Sequence, residues 1–159
     1  MLYLANNLAE KPAVAFCGAL SGDLIPLTIQ QANISPDSIT PQMSLEEFSR
    51  HQIPSVISTD DGSLGFRGYI TQALEQYLDT QPPAKPYIIY TCGPEGMMKR
   101  VADIAISRGI ECQVAAERAM ACGMGTCQSC VIRVKNGSDW VYKLACTDGP
   151  VFRASDLLW

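Results

Sequence analysis

The chain has 159 residues, which is enough for one ordinary domain or for a compact domain followed by a small one. Apolar residues make up 47% of it, so a packed core can form and general disorder is excluded. Twelve basic and sixteen acidic residues give a net charge of −4 without a basic run, which argues against nucleic acid and anionic membranes as partners.

Predicted helices and strands alternate over the first two thirds of the chain. Apolar residues at helical spacing predict the helices, and short apolar runs predict buried strands. The helices are expected at 2–11, 44–50, 68–78 and 94–109, and the strands at 13–19, 55–59, 87–93 and 111–117. This alternation is typical of an α/β fold with a parallel sheet, which we assign to residues 1–116.

The N-terminal end of this α/β region departs from the usual pattern. Such a domain normally opens with a strand, whereas the chain begins inside a pattern typical of a first crossover helix, at residues 2–11. We therefore expect the parallel-sheet domain to be incomplete at its N-terminus, without an opening strand and a glycine-rich turn. A polar, proline-rich link is predicted at residues 79–86, before the third strand.

The pattern changes after the fourth predicted strand to a cysteine-rich loop. Two strand-like runs follow around the polar turn NGSD at 136–139, which predicts a β-hairpin. In that hairpin Cys130 falls opposite Ala145, so Cys146 comes next to Cys130 although fifteen residues separate them in sequence. We assign residues 117–159 to a second, small β-rich domain.

Four of the seven cysteines follow the spacing C-x4-C-x2-C-x15-C, which is the ligand pattern of a plant-type [2Fe–2S] cluster. Soft thiolates suit iron, and Gly123 and Gly125 allow the positive φ angles that a loop folded around a cluster requires. The alternative is a structural zinc site, which usually carries two C-x2-C pairs, whereas this chain has one. The predicted ligands are Cys122, Cys127, Cys130 and Cys146.

The cysteines also bear on the cellular compartment. Their number is odd, and the stretch MLYLANNLAEKPA lacks the charged and apolar regions of a signal peptide. The disulfide framework of a secreted protein is therefore disfavoured. Because no apolar run approaches the ~20 residues of a membrane span, we predict a cytoplasmic protein in which cysteines hold a metal centre.

Three stretches together resemble one known family. The tail QVAAERAMACGMGTCQSCVIRVKNG at 113–137 is similar to the C-terminal [2Fe–2S] domain of the electron-transfer subunit of class 1B dihydroorotate dehydrogenase. The segments STDDGSLGFRG at 58–68 and YTCGPEGMMKR at 90–100 are similar to the nicotinamide-binding half of the same subunit. That subunit belongs to the ferredoxin–NADP reductase family.

The resemblance implies a redox function. In that family an FAD-binding β-barrel, a nicotinamide-binding α/β domain and a cluster domain pass electrons between NAD, FAD, the cluster and the FMN of a catalytic partner subunit. No β-barrel precedes the α/β region here, so we expect the FAD domain to be absent and the chain not to be catalytic alone. The cofactors implied for this chain are a [2Fe–2S] cluster and NAD(P).

The resemblance also implies a nicotinamide site at the carboxyl ends of two strands. Ligands bind there in α/β sheets, carboxylates accept hydrogen bonds from ribose, and a helix N-terminus favours anions. The implied residues are Thr59, Asp60, Asp61 and Gly62 after one strand and Cys92, Gly93, Pro94, Glu95 and Met97 after another. The alternatives from sequence alone are a surface turn at the first position and a tight strand–helix turn at the second.

The leading hypothesis is a cluster-bearing electron-transfer subunit. It would relay electrons between a nicotinamide and flavin centre and a partner oxidoreductase such as dihydroorotate dehydrogenase, in pyrimidine biosynthesis. A flavin is needed because a [2Fe–2S] centre takes one electron at a time and cannot accept hydride. The alternatives are a stand-alone ferredoxin-like carrier, a subunit of another flavin–iron–sulfur oxidoreductase, or a truncated fragment with a structural zinc site.

Overall fold

The computed structural model describes residues 1–8, 11–30, 34–82 and 86–159. These residues form two compact units, Met1–Pro83 and Ala84–Trp159. Residues 9–10 of the predicted N-terminal helix and residues 83–85 of the predicted link lie outside the described residues. Within the described ranges, no helix has both the length and the apolar character needed to cross a membrane.

Helices and strands alternate along the chain, and the predicted α/β class with parallel strands is confirmed. The helices are α1 (Leu2–Asn7), α2 (Glu46–Ser49), α3 (Ile70–Asp79) and α4 (Glu95–Ser107). The strands are β1 (Ala15–Ala19), β2 (Ser55–Thr59), β3 (Phe66–Arg67), β4 (Ile88–Cys92), β5 (Glu111–Ala115), β6 (Val131–Asn136), β7 (Asp139–Leu144) and β8 (Val151–Arg153). The sequence does not predict β3 and β8, because strands of two and three residues are too short to show a hydrophobic period.

The Met1–Pro83 unit is built on a three-stranded parallel sheet in the order β1-β2-β3. All five residues of the central strand β2 are buried, as expected for a parallel strand that is covered on both faces. Ala19 pairs with Thr59, so β1 and β2 end at the same edge of the sheet. The core of the unit consists of Ala5, Ile25, Leu45, Phe48, Ile53 and Ile57.

Helix α3 packs on β1 at a glycine. A Cβ at Gly18 would lie 2.7 Å from the Cβ of Ile70, so only glycine allows the helix to approach the strand this closely. The sequence predicts an apolar face at Ile70, Ala73, Leu74 and Leu78, and the last three are buried whereas Ile70 is half-buried. The helix therefore covers the sheet with the face that its sequence period predicts.

The Ala84–Trp159 unit contains a mixed sheet in the order β4-β5-β8. β4 and β5 are parallel, whereas β8 pairs antiparallel with β5 and places Phe152 opposite Val114. The chain thus returns to the α/β sheet after the hairpin. The predicted domain boundary at residue 117 stays a prediction, and the structure adds that the two predicted domains share this sheet.

Helix α4 packs against β4 and β5. Apolar spacing predicts that Met97, Val101 and Ile104 form the buried side of this helix. Val101 and Ile104 are buried, but Met98 is buried in place of Met97, which is half-buried. Successive residues of a helix are rotated by about 100°. Predicting Met97 instead of Met98 therefore assigns the wrong side of the first turn to the core. The sequence also predicts that Gly109 ends this helix. This is confirmed, because Gly109 has a φ of +65° and its N–H donates to the Ile106 carbonyl at 3.1 Å.

Strands β6 and β7 form the predicted hairpin. Asn136 pairs with Asp139, so the strands extend further than predicted and the turn consists of residues 137–138 instead of NGSD. Two-residue turns of this kind are the commonest hairpin connections. The C-terminal segment lies along the other edge of β6, where the Leu158 N–H donates to the Arg133 carbonyl at 3.1 Å.

Candidate metal centre and adjoining cavity

The loop that carries three of the predicted ligands is anchored at both ends. It leaves β5 where the Ala116 N–H donates to the Pro150 carbonyl at 2.9 Å. It enters the hairpin where the Ala145 N–H donates to the Cys130 carbonyl at 3.0 Å, which confirms the predicted placement of Cys130 opposite Ala145. The sheet therefore fixes one end of the loop, and the hairpin fixes the other.

The first cysteine pair consists of Cys130 and Cys146. Their sulfur atoms lie 3.3 Å apart, because the antiparallel register brings the end of the loop beside the segment that follows β7. Cys130 is buried and Cys146 is half-buried. The hairpin thus converts two distant cysteines into neighbours, as the sequence predicts.

The second cysteine pair consists of Cys122 and Cys127. The Cys122 sulfur accepts hydrogen bonds from the backbone N–H groups of Cys127 at 3.4 Å and of Met124 at 3.5 Å. Gly123 has a φ of +68° and Gly125 a φ of +85°, a conformation that costs other residues free energy. The predicted role of these glycines in bending the loop is confirmed.

Ser129 connects the two arms of the loop, a role that the sequence does not predict. Its hydroxyl lies 3.2 Å from the Cys127 sulfur and donates to the Ala119 carbonyl at 3.0 Å. The same oxygen accepts a hydrogen bond from the Ala121 N–H at 3.2 Å. The one sequence feature that could have predicted this role is a serine inside the C-x2-C pair, because serine hydroxyls often form hydrogen bonds with nearby backbone groups.

The surroundings of the cysteines favour thiolates. Hydrogen bonds from the side chain and the backbone N–H of Ser129 lower the pKa of Cys127 to about 6. The backbone N–H and the side chain of Cys146 lower the pKa of Cys130, and the shared hydrogen bond raises the pKa of Cys146. Because metal ligands must be deprotonated, the lowered pKa values favour metal binding at neutral pH.

The pairing of the cysteines fits a two-iron cluster. Such a cluster takes four thiolates, two at each iron, whereas a zinc ion takes all four at one point. Among the residues that the structure describes, no three His, Cys, Asp or Glu side chains are gathered closely enough to hold a metal ion. The cluster is favoured over zinc by the cysteine spacing, which contains one C-x2-C pair instead of two, and by the glycine-bearing loop.

The other three cysteines lie outside this centre. Cys112 is buried, and burial raises its pKa to about 11. Burial, with the nearby charge of Glu47, also raises the pKa of Cys17 to about 11. Both thiols are therefore poor ligands and poor nucleophiles, whereas Cys92 is exposed.

The first predicted nucleotide segment, at 59–62, lies at the carboxyl end of β2. The Thr59 hydroxyl donates to a backbone carbonyl of the same loop at 2.8 Å. Asp61 accepts hydrogen bonds from the hydroxyl and the N–H of Ser63, which lower its pKa. Asp60 is exposed and its carboxylate makes no hydrogen bond with the described residues.

The second predicted nucleotide segment is the turn between β4 and α4. Cys92 is exposed there, and Gly93 has a φ of +147°. A Cβ at Gly93 would lie 2.9 Å from the Cε of Met97, so the turn is closed by that side chain. The Glu95 carboxylate accepts a hydrogen bond from the Arg118 guanidinium at 2.6 Å, which ties the start of α4 to the start of the cysteine loop.

A cavity of about 590 Å³ lies beside this turn, at the carboxyl ends of β4 and β5. It is open to solvent over much of its surface. Its walls are Cys92, Ala115, Ala116, Glu117, Arg118, Ala119, Met120 and Pro150. Of these residues the sequence predicts only Cys92 as part of a site. Pro150, for example, reaches the cavity through the pairing of β8 with β5, which the sequence does not predict. Segment 59–62 lies in the other unit.

Comparison with known proteins assigns the cysteine domain. Residues 117–158 match the family model of the iron–sulfur cluster binding domain of dihydroorotate dehydrogenase B. The chain is 44% identical over 152 residues to the probable dihydroorotate dehydrogenase B (NAD(+)), electron transfer subunit, of Methanocaldococcus jannaschii, covering 96% of this chain and 54% of that protein. It is 31% identical over 159 residues to the corresponding subunit of Desulforamulus reducens, covering 94% of this chain and 59% of that protein.

The fold has a counterpart among solved structures. It is similar to that of the NADH-dependent reduced ferredoxin–NADP oxidoreductase, with a TM-score of 0.70 and 25% sequence identity, covering 98% of this chain and 48% of that chain. The predicted resemblance to electron-transfer subunits of dihydroorotate dehydrogenase B and to ferredoxin reductases is therefore confirmed. The chain spans about half the length of the curated relatives it matches.

Proposed function

We propose that this chain is an electron-transfer component. The premise is that residues 117–158 are an iron–sulfur cluster binding domain of the dihydroorotate dehydrogenase B kind. It holds a [2Fe–2S] cluster and passes single electrons between a nicotinamide and flavin centre and a partner oxidoreductase that acts on dihydroorotate. Both the nicotinamide and the partner are inferred from the relatives, which are named as electron transfer subunits of dihydroorotate dehydrogenase B (NAD(+)). FAD is the cofactor that exchanges hydride for single electrons in this scheme.

The observation that carries the proposal is the pairwise gathering of four cysteines. The sulfur atoms of Cys130 and Cys146 lie 3.3 Å apart, and the Cys127 N–H donates to the Cys122 sulfur at 3.4 Å. Two thiolates for each iron is the arrangement that a [2Fe–2S] cluster needs. When bound, such a cluster supplies one-electron oxidation and reduction.

The side chains around the cysteines prepare them for this role. Ser129 holds the Cys127 sulfur in place and lowers its pKa to about 6, so this ligand is ionised at neutral pH. Cys130 is buried under the hairpin, whereas Cys127 is exposed. The loop therefore has a fixed inner side and an outer side that a partner protein can approach.

We assign the cavity beside Cys92 to the nicotinamide ring of the electron donor. Three alanines supply small apolar walls, and the Arg118–Glu95 ion pair adds a charged one. Residues 117–120 line the cavity and lead directly to Cys122, so a ring bound there lies next to the cysteine loop.

Anaerobic reconstitution with iron and sulfide tests the cluster proposal. We expect about two iron and two acid-labile sulfide ions per chain, visible absorption and an EPR signal after one-electron reduction. Single replacements by serine should abolish a stable cluster at Cys122, Cys127, Cys130 and Cys146. The matched controls, Cys17→Ser and Cys112→Ser, should keep the full iron and sulfide content, because these cysteines lie outside the centre.

Electron transfer is tested in the same preparation. The dithionite-reduced chain, mixed with the oxidised catalytic subunit of dihydroorotate dehydrogenase B, should reduce that subunit's flavin in a stopped-flow experiment. A colourless protein that binds one zinc ion would contradict the cluster. A normal cluster that never reduces the subunit would contradict the partner instead, and would favour another oxidoreductase.

A further inference from the structure

One face of the β6–β7 hairpin is exposed. Three cross-strand pairs lie on it: Val131 with Leu144, Arg133 with Tyr142, and Lys135 with Trp140. Because side chains alternate between the two faces along a strand, these six residues point to one side, opposite to the buried Ile132. We call these six residues the outer hairpin face.

Two aromatic side chains dominate the outer hairpin face. Trp140 is 43% exposed and Tyr142 is 62% exposed, and their rings meet edge to face with centroids 4.9 Å apart. Tryptophan and tyrosine are enriched at the centres of protein interfaces, where they contribute much of the binding free energy. The pair therefore has the composition of an interface hot spot.

The charges on this face have the opposite sign to the charge of the whole chain. Arg133 and Lys135 are exposed, and neither forms an ion pair within the part of the chain that the structure describes. Lys143, which points to the opposite face, is instead paired with Asp148 at 3.2 Å. In a chain of net charge −4, two free cations beside two aromatic rings favour a partner surface that carries carboxylates.

The outer hairpin face begins at the cysteine centre. Val131 directly follows the ligand Cys130, and Leu144 stands two residues before Cys146. The Cδ1 of Leu144 also lies 3.6 Å from where a Cβ on Gly125 would be. A protein that covers the Val131–Leu144 end of this face therefore lies next to the loop that carries the proposed cluster ligands, which places it favourably for one-electron transfer.

We propose that the outer hairpin face is the docking surface for the partner oxidoreductase, which presents carboxylates around an apolar recess that receives Trp140. This inference rests on the proposed electron-transfer function and adds the surface through which the partner binds. The basic residues steer and orient the partner, and the aromatic pair supplies the buried centre of the interface.

The test measures binding of the cluster-loaded chain to the catalytic subunit of dihydroorotate dehydrogenase B from the same organism, at low and at high salt. The double replacement Arg133→Glu with Lys135→Glu should raise Kd at least about tenfold at low salt and weaken the salt dependence. Trp140→Ala should raise Kd about tenfold at both salt concentrations. Unchanged iron content and visible circular dichroism show that each variant is intact.

A matched control carries the same change of net charge elsewhere. Lys11→Glu with Lys99→Glu alters two exposed lysines outside the hairpin, and Kd should stay within about twofold of the wild-type value. Footprinting of the wild-type complex needs no substitution. Oxidation of Trp140 and Tyr142 by hydroxyl radicals should fall several-fold when the catalytic subunit is bound.

The outcomes separate the docking surface from the proposed function. If the wild type binds and the charge-reversed variant binds equally well, with Trp140 still oxidised in the complex, the docking inference is overturned and the proposed function stands. If the wild type does not bind the catalytic subunit, the proposed partner is overturned, and the docking inference falls with it. Concentration-dependent protection of Trp140 in the chain alone would assign the face to a second copy and overturn the inference.

Discussion

The hydroxyl oxygen of Ser129 lies 3.2 Å from the sulfur of Cys127. The same hydroxyl donates to the Ala119 carbonyl at 3.0 Å, and because it has one hydrogen it cannot serve both acceptors fully. Charge-assisted hydrogen bonds are roughly twice as strong as neutral ones. Negative charge on Cys127 therefore draws the hydrogen from the carbonyl to the sulfur.

Replacing Ser129 by alanine should lower the midpoint potential of the bound cluster. The hydrogen bond stabilises the charge that the sulfur gains on reduction, so its loss makes reduction harder. A differential loss of about 1 kcal/mol corresponds to about 40 mV for a one-electron couple. A redox titration followed by visible absorption measures this shift.

Two variants control this experiment. Ser129→Thr keeps a hydroxyl at the same position and should keep most of the potential. Ser155→Ala removes an exposed hydroxyl that is bonded to Asp156 instead, and the potential should not move. If Ser129→Ala retains the wild-type potential at full cluster content, the hydrogen bond has no role in setting it.

Gly125 and Gly123 form a matched pair that tests how closely the loop wraps around its ligand. Both have positive φ, so alanine costs about 1 kcal/mol at either position. A Cβ at Gly125 would also lie 3.2 Å from the Cγ2 of Thr147, beside the proposed ligand Cys146, whereas a Cβ at Gly123 meets nothing within 4 Å. Gly125→Ala should therefore lose its cluster faster on mild chelation, measured as the decay of visible absorbance. Equal decay rates would show that the extra contact is relieved without effect.

Cys92 should be the cysteine that iodoacetamide modifies in the cluster-loaded protein. It is exposed and outside the ligand set, whereas pKa values of about 11 keep Cys17 and Cys112 protonated at neutral pH. If the cavity beside Cys92 takes a nicotinamide ring, NADH should slow this alkylation several-fold, as measured by peptide mass spectrometry. ADP-ribose, which lacks the ring, is the control. Full reactivity of Cys92 at saturating NADH would argue against the assignment of the cavity.

Glu47 should contribute to the pH dependence of unfolding. The Thr28 N–H donates to both of its carboxylate oxygens, at 2.9 and 3.1 Å, and lowers its pKa. Because the pKa is lower in the folded state, the stabilisation is fully present above the ordinary glutamate pKa of about 4.3. It is lost as the pH falls through the folded value.

Thermal unfolding between about pH 3 and 7 measures this contribution. Glu47→Gln should lower the melting temperature near neutral pH and make its fall toward acid shallower. Glu46→Gln, on the same helix, changes the charge equally but removes an exposed ion pair with Arg50, and serves as the control. Parallel pH profiles for wild type and Glu47→Gln would contradict the prediction.

The sequence predicts those features that depend on neighbouring residues. Strand β2 coincides with the predicted range 55–59, and helices α3 and α4 agree with the predicted ranges to within two residues. These elements have a clear apolar period or a compact apolar run. Strand β8 has neither, and it forms because β5 offers it an open edge.

By itself the sequence determined the spacing of the four candidate cysteine ligands, the glycine bend between two of them and the hairpin that brings the fourth beside the third. Each of these follows from spacing along the chain, because turns and strand registers are set by local geometry. Only the tertiary structure decided that Pro150 closes a cavity against Ala116 and that Ser129 reaches back to Ala119. The sequence around one residue of each contact does not indicate its partner. These contacts are therefore decided by the free energy of packing in the folded protein.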